Sequence, residues 1–211
     1  MASSPASPKT SIFRCRRRWP VPTKKHSTRS AEASGFDYLR REVKLELGSL
    51  TDQRPTGQHA VRAWVVDDFP AAFTDWHCHV TALELARTFW EKATILHAEH
   101  HRPEEQATPD RYARHYADMA RLLRHANAAA MLADHALCAR VVEWKSRVVA
   151  RQWARYDLAK PGTFRLLPPA PRLEMLARDY AQMRAMFLAA PAEFDAVLGV
   201  LEAAERTLNV R

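Results

Sequence analysis

The stretch Leu83-Glu84-Leu85-Ala86-Arg87-Thr88-Phe89-Trp90-Glu91-Lys92-Ala93-Thr94-Ile95-Leu96-His97-Ala98-Glu99 sets the fold class. In it Leu83, Ala86, Phe89, Trp90, Ala93 and Leu96 recur three and four residues apart, the period of an amphipathic helix. Lys92 and Glu99 fall off that apolar stripe. Arg102-Pro103 ends the helix. Thr108-Pro109-Asp110 is the expected start of the next one, with Thr108 as N-cap and Pro109 at its first position. There Tyr112, Tyr116, Met119 and Leu123 form the stripe, and Arg111, Arg114, His115, Asp118 and Arg121 lie elsewhere on the surface.

Downstream, an alanine-rich helix is expected over Ala126 to about Arg140, and another over Val141 to about Trp153. Lys160-Pro161-Gly162 is a turn, and Leu167-Pro168-Pro169-Ala170-Pro171 a stiff linker. Leu173, Leu176, Tyr180, Met183 and Phe187, then Phe194, Val197, Leu198, Leu201 and Leu208, predict two helices forming an antiparallel hairpin on the bundle.

Upstream, the period changes. Val43, Leu45 and Leu47 alternate with Lys44 and Glu46, as on a half-buried strand. His59 to Val66 reads as a second strand, and Trp76 to Val80 as a short third. Residues 1–32 are rich in Ser, Pro, Lys and Arg and are read as a disordered basic tail. The expected organisation is therefore α+β: the tail over 1–32, a β region over 33–80, and a helical region over 81–211.

The 211 residues carry 32 basic and 24 acidic side chains, a net charge of +8. Eight of the basic residues, and no acid, lie within residues 1–30, so residues 31–211 hold 24 of each sign. The basicity that would suggest a nucleic-acid binder belongs to the tail, as solvated disorder or as a segment that is not native. No run of 18 apolar residues could span a membrane, and no apolar core of a secretory signal follows the N-terminal charges. Three scattered cysteines, Cys15, Cys78 and Cys138, fit a reducing cytoplasm. Five glycines, none in a phosphate-loop or dinucleotide spacing, exclude both of those motifs.

His97, His100 and His101 share one helix face, and His77 and His79 flank Cys78. The run His97-Ala98-Glu99-His100-His101 misplaces the glutamate of a helical zinc motif, so these histidines are read as solvated or core residues. Cys78 is expected to be a small buried hydrophobe. Gly48-Ser49 and Asp67-Asp68 resemble pieces of a nucleotidyltransferase site, but adjacent aspartates on a strand point to opposite faces. They are read as a loop and a strand end.

Arg87-Thr88-Phe89-Trp90-Glu91-Lys92-Ala93-Thr94-Ile95-Leu96-His97 resembles the lysine motif of the AbiEii/AbiGii-type nucleotidyltransferase toxins of type IV toxin–antitoxin and abortive-infection systems. Arg114-His115-Tyr116-Ala117-Asp118-Met119 resembles the arginine–aspartate motif that follows it. Val43-Lys44-Leu45-Glu46-Leu47-Gly48 resembles the strand before, and Trp153 to Thr163 a downstream stretch of one branch. The resemblance spans about residues 36–211. It implies a polymerase-β-like nucleotidyltransferase core with a C-terminal helical bundle, of which residues 33–80 would be a β remnant. It implies transfer from an NTP with Mg²⁺, in some members onto tRNA, and a cognate antitoxin as partner. By the same resemblance Lys92 would contact the triphosphate, Asp118 would act as base or position the acceptor hydroxyl, and Glu46 would be a metal ligand. Neither the family's Gly-Ser turn nor its Asp-x-Asp pair precedes Glu46. The chain is therefore expected to be a C-terminal portion of such a toxin and inactive alone, with a non-catalytic, antitoxin-binding helical protein as the alternative. Any RNA contact is expected near Lys92, Arg111, Arg114 and Arg121.

Overall fold

The computed structural model describes residues 52, 54–74, 77–187 and 189–210. The chain divides into two units, Met1–Ser34 and Gly35–Arg211, and every described residue lies in the second. The expected tail over 1–32 and the strand around Glu46 lie outside the described residues.

Two strands, β1 (Thr56–Arg62) and β2 (His77–Leu83), pair antiparallel with Thr56 opposite Leu83 and Arg62 opposite His77. Between them Val65–Asp68 forms a single helical turn, α1. The second expected strand, His59 to Val66, is thus corrected at both ends. It begins earlier, and Val65 and Val66 leave it because the backbone of Asp67 and Phe69 bonds back to Trp64 and Val65. Asp67 and Asp68 sit on that helical turn rather than at a strand end, and Asp67 is paired with Arg62. Cys78, expected to be buried, is exposed on β2, because the two-stranded ribbon is open to solvent along most of both strands.

The rest is helical: α2 (Leu85–His100), α3 (Ala113–Leu123), α4 (Ala128–Ala133), α5 (His135–Val148), α6 (Leu173–Gln182) and α7 (Phe194–Asn209). An α+β class with a helical bundle after a short strand region describes this architecture. Helix α2 is its axis, packed on α3 and α5, while α6 and α7 both pack on α3. Phe89, Trp90, Ala93 and Leu96 of the expected stripe are fully buried. The Trp90 ring meets Phe89 edge-on at 5.1 Å and Phe164 at 5.8 Å, the geometry that the ring quadrupole favours.

Burial around α2 goes beyond the stripe, because neighbours surround it. Arg87, Thr94, His97 and Glu99 are also buried, and Glu99 is 0% exposed where the sequence pattern left it off the core. Its carboxylate accepts from Arg102 at 2.6 Å and from the Thr108 hydroxyl. That hydroxyl in turn accepts from Arg172. Thr108 is consequently not the N-cap of α3. The helix starts at Ala113, whose N–H donates to Asp179 of α6 at 2.7 Å, so a carboxylate from a distant segment supplies the cap.

The two expected helices over 126–153 are also redrawn. The break falls at Asp134, whose side chain accepts from Leu137 N at 3.0 Å and caps α5. No break occurs at Val141, which is fully buried within α5. The linker after Gly162 is strapped down by side chains. Glu205 accepts from Leu166 N at 2.6 Å and Leu167 N at 3.1 Å, and Asn209 makes both a donor and an acceptor bond to the backbone of Phe164. Helices α6 and α7 touch where Tyr180 stacks on Phe194 at 5.1 Å and donates to Ala192 O.

Candidate active site

Helices α2 and α3 pack so that Lys92 and Asp118, each off the apolar stripe of its own helix, meet at their shared edge. Lys92 Nζ donates to Asp118 Oδ2 at 2.6 Å, a short charge-assisted contact. The lysine side chain is 22% exposed and the carboxylate 47%, so the pair is open to a ligand from one side. A third group completes the cluster. Lys92 Nζ lies 3.3 Å from His115 Nδ1, and an ammonium can only donate. His115 therefore accepts at Nδ1 and carries its proton at Nε2. Burial, reinforced by the adjacent Lys92 charge, pulls its pKa down to about 4, so the ring is neutral at pH 7. Its ring packs edge-on against Tyr112 at 4.8 Å.

Beneath this cluster runs a chain of alternating charges. Lys145 of α5, nearly buried, donates to the Glu91 carboxylate and to the Glu91 carbonyl, each at 2.9 Å. Burial drives the Lys145 pKa downward, against the pull of Glu91. Glu91 accepts from Arg87 Nη2 at 2.6 Å, and Arg87 Nη1 donates to Asp52 at 2.7 Å and to Arg54 O at 2.8 Å. Arg140 closes the chain with two parallel bonds to Asp52, each 2.9 Å. The Arg140 guanidinium, with Arg87, holds the Asp52 carboxyl down at about 2. Glu91 immediately precedes Lys92, so this network fixes the turn of α2 from which Lys92 projects, and it ties the segment before β1 to α2 and α5.

The roles of Arg87, Glu91 and Lys145, and of His115 as a partner of Lys92, are not evident from the sequence pattern. The i, i+4 spacing of Arg87 and Glu91 was a visible signal for a helical ion pair. Nothing local could announce Lys145, which lies on a different helix 54 residues on.

The histidines of α2 are structural. His97 Nδ1 accepts from Arg165 N at 3.1 Å, which leaves Nε2 as the donor to Arg155 O at 3.0 Å. His100 Nδ1 donates to Leu167 O at 2.8 Å. Among the described residues no group of three or more His, Cys, Asp or Glu could hold a metal ion. The carboxylates of the cluster and its charge chain do not fit a divalent cation either: Asp52, Glu91 and Asp118 are each already paired with a lysine or arginine. Glu46 lies outside the described residues.

A family model described as the nucleotidyl transferase AbiEii toxin of type IV toxin–antitoxin systems matches residues 13–200. The chain belongs to the AbiEii nucleotidyl transferase toxin family. The AbiEii match begins well before residue 36, where the resemblance read from motifs starts, and it takes in part of the basic segment. It also covers both helices that carry Lys92, His115 and Asp118. No curated protein and no solved structure matches this AbiEii chain. Membership carries with it a toxin's pairing with an antitoxin. No helix among the described residues is long and apolar enough to cross a membrane.

Proposed function

We propose that this chain binds an NTP and an acceptor hydroxyl side by side at the Lys92–Asp118 pair, as the phosphate-and-acceptor half of a nucleotidyltransferase. The observation that carries the reading is the 2.6 Å contact between Lys92 Nζ and Asp118 Oδ2, open to solvent and flanked by neutral His115. Lys92 is a compact cation suited to phosphate oxygens. When a triphosphate draws Lys92 away, the Asp118 carboxylate is released as an acceptor for a nearby hydroxyl proton, the geometry a general base needs. His115 stays neutral and so adds no competing positive charge. A tRNA end is the acceptor that the family suggests, and Mg²⁺ the metal. The described carboxylates do not fit that ion, and the sequence has no Asp-x-Asp pair. The purified chain is therefore expected to bind nucleotide without transferring it.

The test is incubation with labelled NTPs, tRNA and Mg²⁺, alongside binding of a fluorescent ATP analogue. Nucleotide binding that Lys92→Ala removes, with no labelling of tRNA, is the expected result. Mg²⁺-dependent labelling abolished by Lys92→Ala would overturn the claim of inactivity, and unaltered nucleotide binding in Lys92→Ala would overturn the role of the lysine.

A second reading, a protein that works by docking an antitoxin, is favoured by one feature. Trp64 and Phe69, at 71% and 61% exposure, flank the α1 turn in the segment that joins β1 to β2. Pull-down with the neighbouring gene product, lost on Trp64→Ser and Phe69→Ser, would support it. Equal recovery by the double variant would remove that support.

A further inference from the structure

Glu99, Arg102 and Arg172 meet beyond the C-terminal end of α2, and their charges do not balance. Glu99 is 0% exposed, Arg172 7%, and the Arg102 side chain 9%. A single carboxylate therefore stands between a pair of guanidinium groups. Arg102 holds one of its oxygens at 2.6 Å, whereas Arg172 Nη1 lies 3.9 Å from the other. The bonds that Arg172 does make go to neutral groups. Its Nη1 donates to the Thr108 hydroxyl, and its Nη2 to Pro103 O at 2.7 Å and Gln106 O at 2.9 Å. Its Nε is shut off from bulk water and has no hydrogen-bond partner among the described residues. A buried charge needs a close counter-ion and full hydrogen bonding, and an orphaned donor on a charged group is costly to bury. Arg172 lacks one negative charge and one acceptor.

The same arginine lines a surface cleft. Glu104, Ala107, Thr108, Pro171, Arg172 and Met175 enclose about 270 Å³ between the α2–α3 loop and the start of α6. Glu104, Ala107, Pro171 and Met175 are exposed, and Arg172 is the buried member, so its guanidinium lies at the inner end. None of these residues belongs to the Lys92 cluster. The volume falls just below the range of about 300–1,000 Å³ for drug-sized ligands, which suits a smaller molecule. Ala107, Pro171 and Met175 give the cleft an apolar side. Met175 is unbranched and 38% exposed, so it can turn aside and admit a ligand to Nε. We propose that this cleft binds a small aliphatic monocarboxylate, one oxygen accepting from Arg172 Nε and the short chain lying along Ala107, Pro171 and Met175. A carboxylate supplies both the charge and the acceptor that Arg172 lacks. Glu104, the acid at the mouth, repels a second negative charge and so selects against dianions.

The full-length, nitrogen-labelled chain is titrated with sodium butyrate while the Arg172 Nε–H signal is followed by NMR. Sodium chloride at equal ionic strength and butyramide, the neutral counterpart of butyrate, serve as controls. Butyrate should move the signal downfield and saturate with a Kd of about 1–10 mM, and the controls should leave it in place. Ala107→Trp changes an exposed position and fills the cleft without touching Arg172, and it should abolish the saturable shift. Glu104→Gln should tighten butyrate binding by about two- to fivefold, the worth of one exposed charge interaction. Succinate should bind the unaltered chain more weakly than butyrate does. An Nε–H signal already downfield in the ligand-free chain, as a buried water would place it, would overturn the proposal. So would an equal shift with sodium chloride or butyramide, or unaltered butyrate binding in Ala107→Trp.

Discussion

Lowering the pH from 7 to 5 should cost the folded chain stability through His115, and the amount can be worked out. In the unfolded chain the imidazole titrates near its ordinary value of 6.5; in the folded chain burial beside Lys92 holds it at about 4. Above pH 6.5 both states are neutral at this site, and the full stability is present. As the pH falls below 6.5 the unfolded chain takes up a proton that the folded chain refuses, so stability is lost progressively down to about pH 4 and the loss then levels off. Between pH 7 and pH 5 the linkage amounts to about 2 kcal/mol. His115→Asn keeps an acceptor atom near the Nδ1 position but cannot titrate. Urea unfolding at pH 7, 6 and 5 should show the unaltered chain losing about 2 kcal/mol more than the variant over that range. His97 and His101, whose pKa values are also lowered, contribute equally to both chains and drop out of the difference. Parallel loss of stability in the two chains would refute the placement of a neutral His115 against Lys92. A proton NMR titration of the His115 ring with a midpoint near 6.5 would do so independently.

Arg87→Met should be severe, because it strands Glu91 and Asp52 after removing a guanidinium that is 1% exposed. A cost of about 3–5 kcal/mol is expected, read as a fall in Tm of about 10 °C. Phe164→Ala removes a fully buried ring packed on Trp90 and His97, at a cost of about 3–5 kcal/mol by urea denaturation. Glu205→Gln weakens the carboxylate that holds Leu166 N, Leu167 N and Arg165, and should cost about 1–3 kcal/mol, with faster amide exchange at Leu166 and Leu167 as its local signature. Lys92→Ala, by contrast, should change stability by less than about 1 kcal/mol, because its partner is half exposed, while abolishing nucleotide binding.

Much of the helical region was legible because its apolar residues repeat at the helical period. Phe89, Trp90, Ala93 and Leu96 on α2, and Tyr116 and Met119 on α3, occupy the core as that period requires. Helix boundaries were less legible, because the groups that end or start these helices are remote. Thr108 looked like a cap until Glu99 and Arg172 claimed its hydroxyl, and Asp179, 66 residues away, took over the role at Ala113. The ribbon is obscured in the sequence for a related reason. Val65 and Val66 favour a strand by propensity, but local backbone bonds close a helical turn there. Residue type favours an interior Cys78, whereas β2 is largely open to solvent and exposes it.

What the sequence by itself determined is the set of chemical groups and the face of its own helix on which each lies. Spacing along one helix is a local property, and it put Lys92 and Asp118 off their apolar stripes before any packing was known. What only the tertiary structure decided is which groups meet. The approach of α2 and α3 commits Asp118 to Lys92, leaves Arg114 and Arg121 without an ion-pair partner among the described residues, and buries His115 enough to keep it neutral. The approach of α5 to α2 brings Lys145 onto Glu91 and Arg140 onto Asp52. Pair energies depend on distance and desolvation, and both are set by helix packing between residues tens of positions apart.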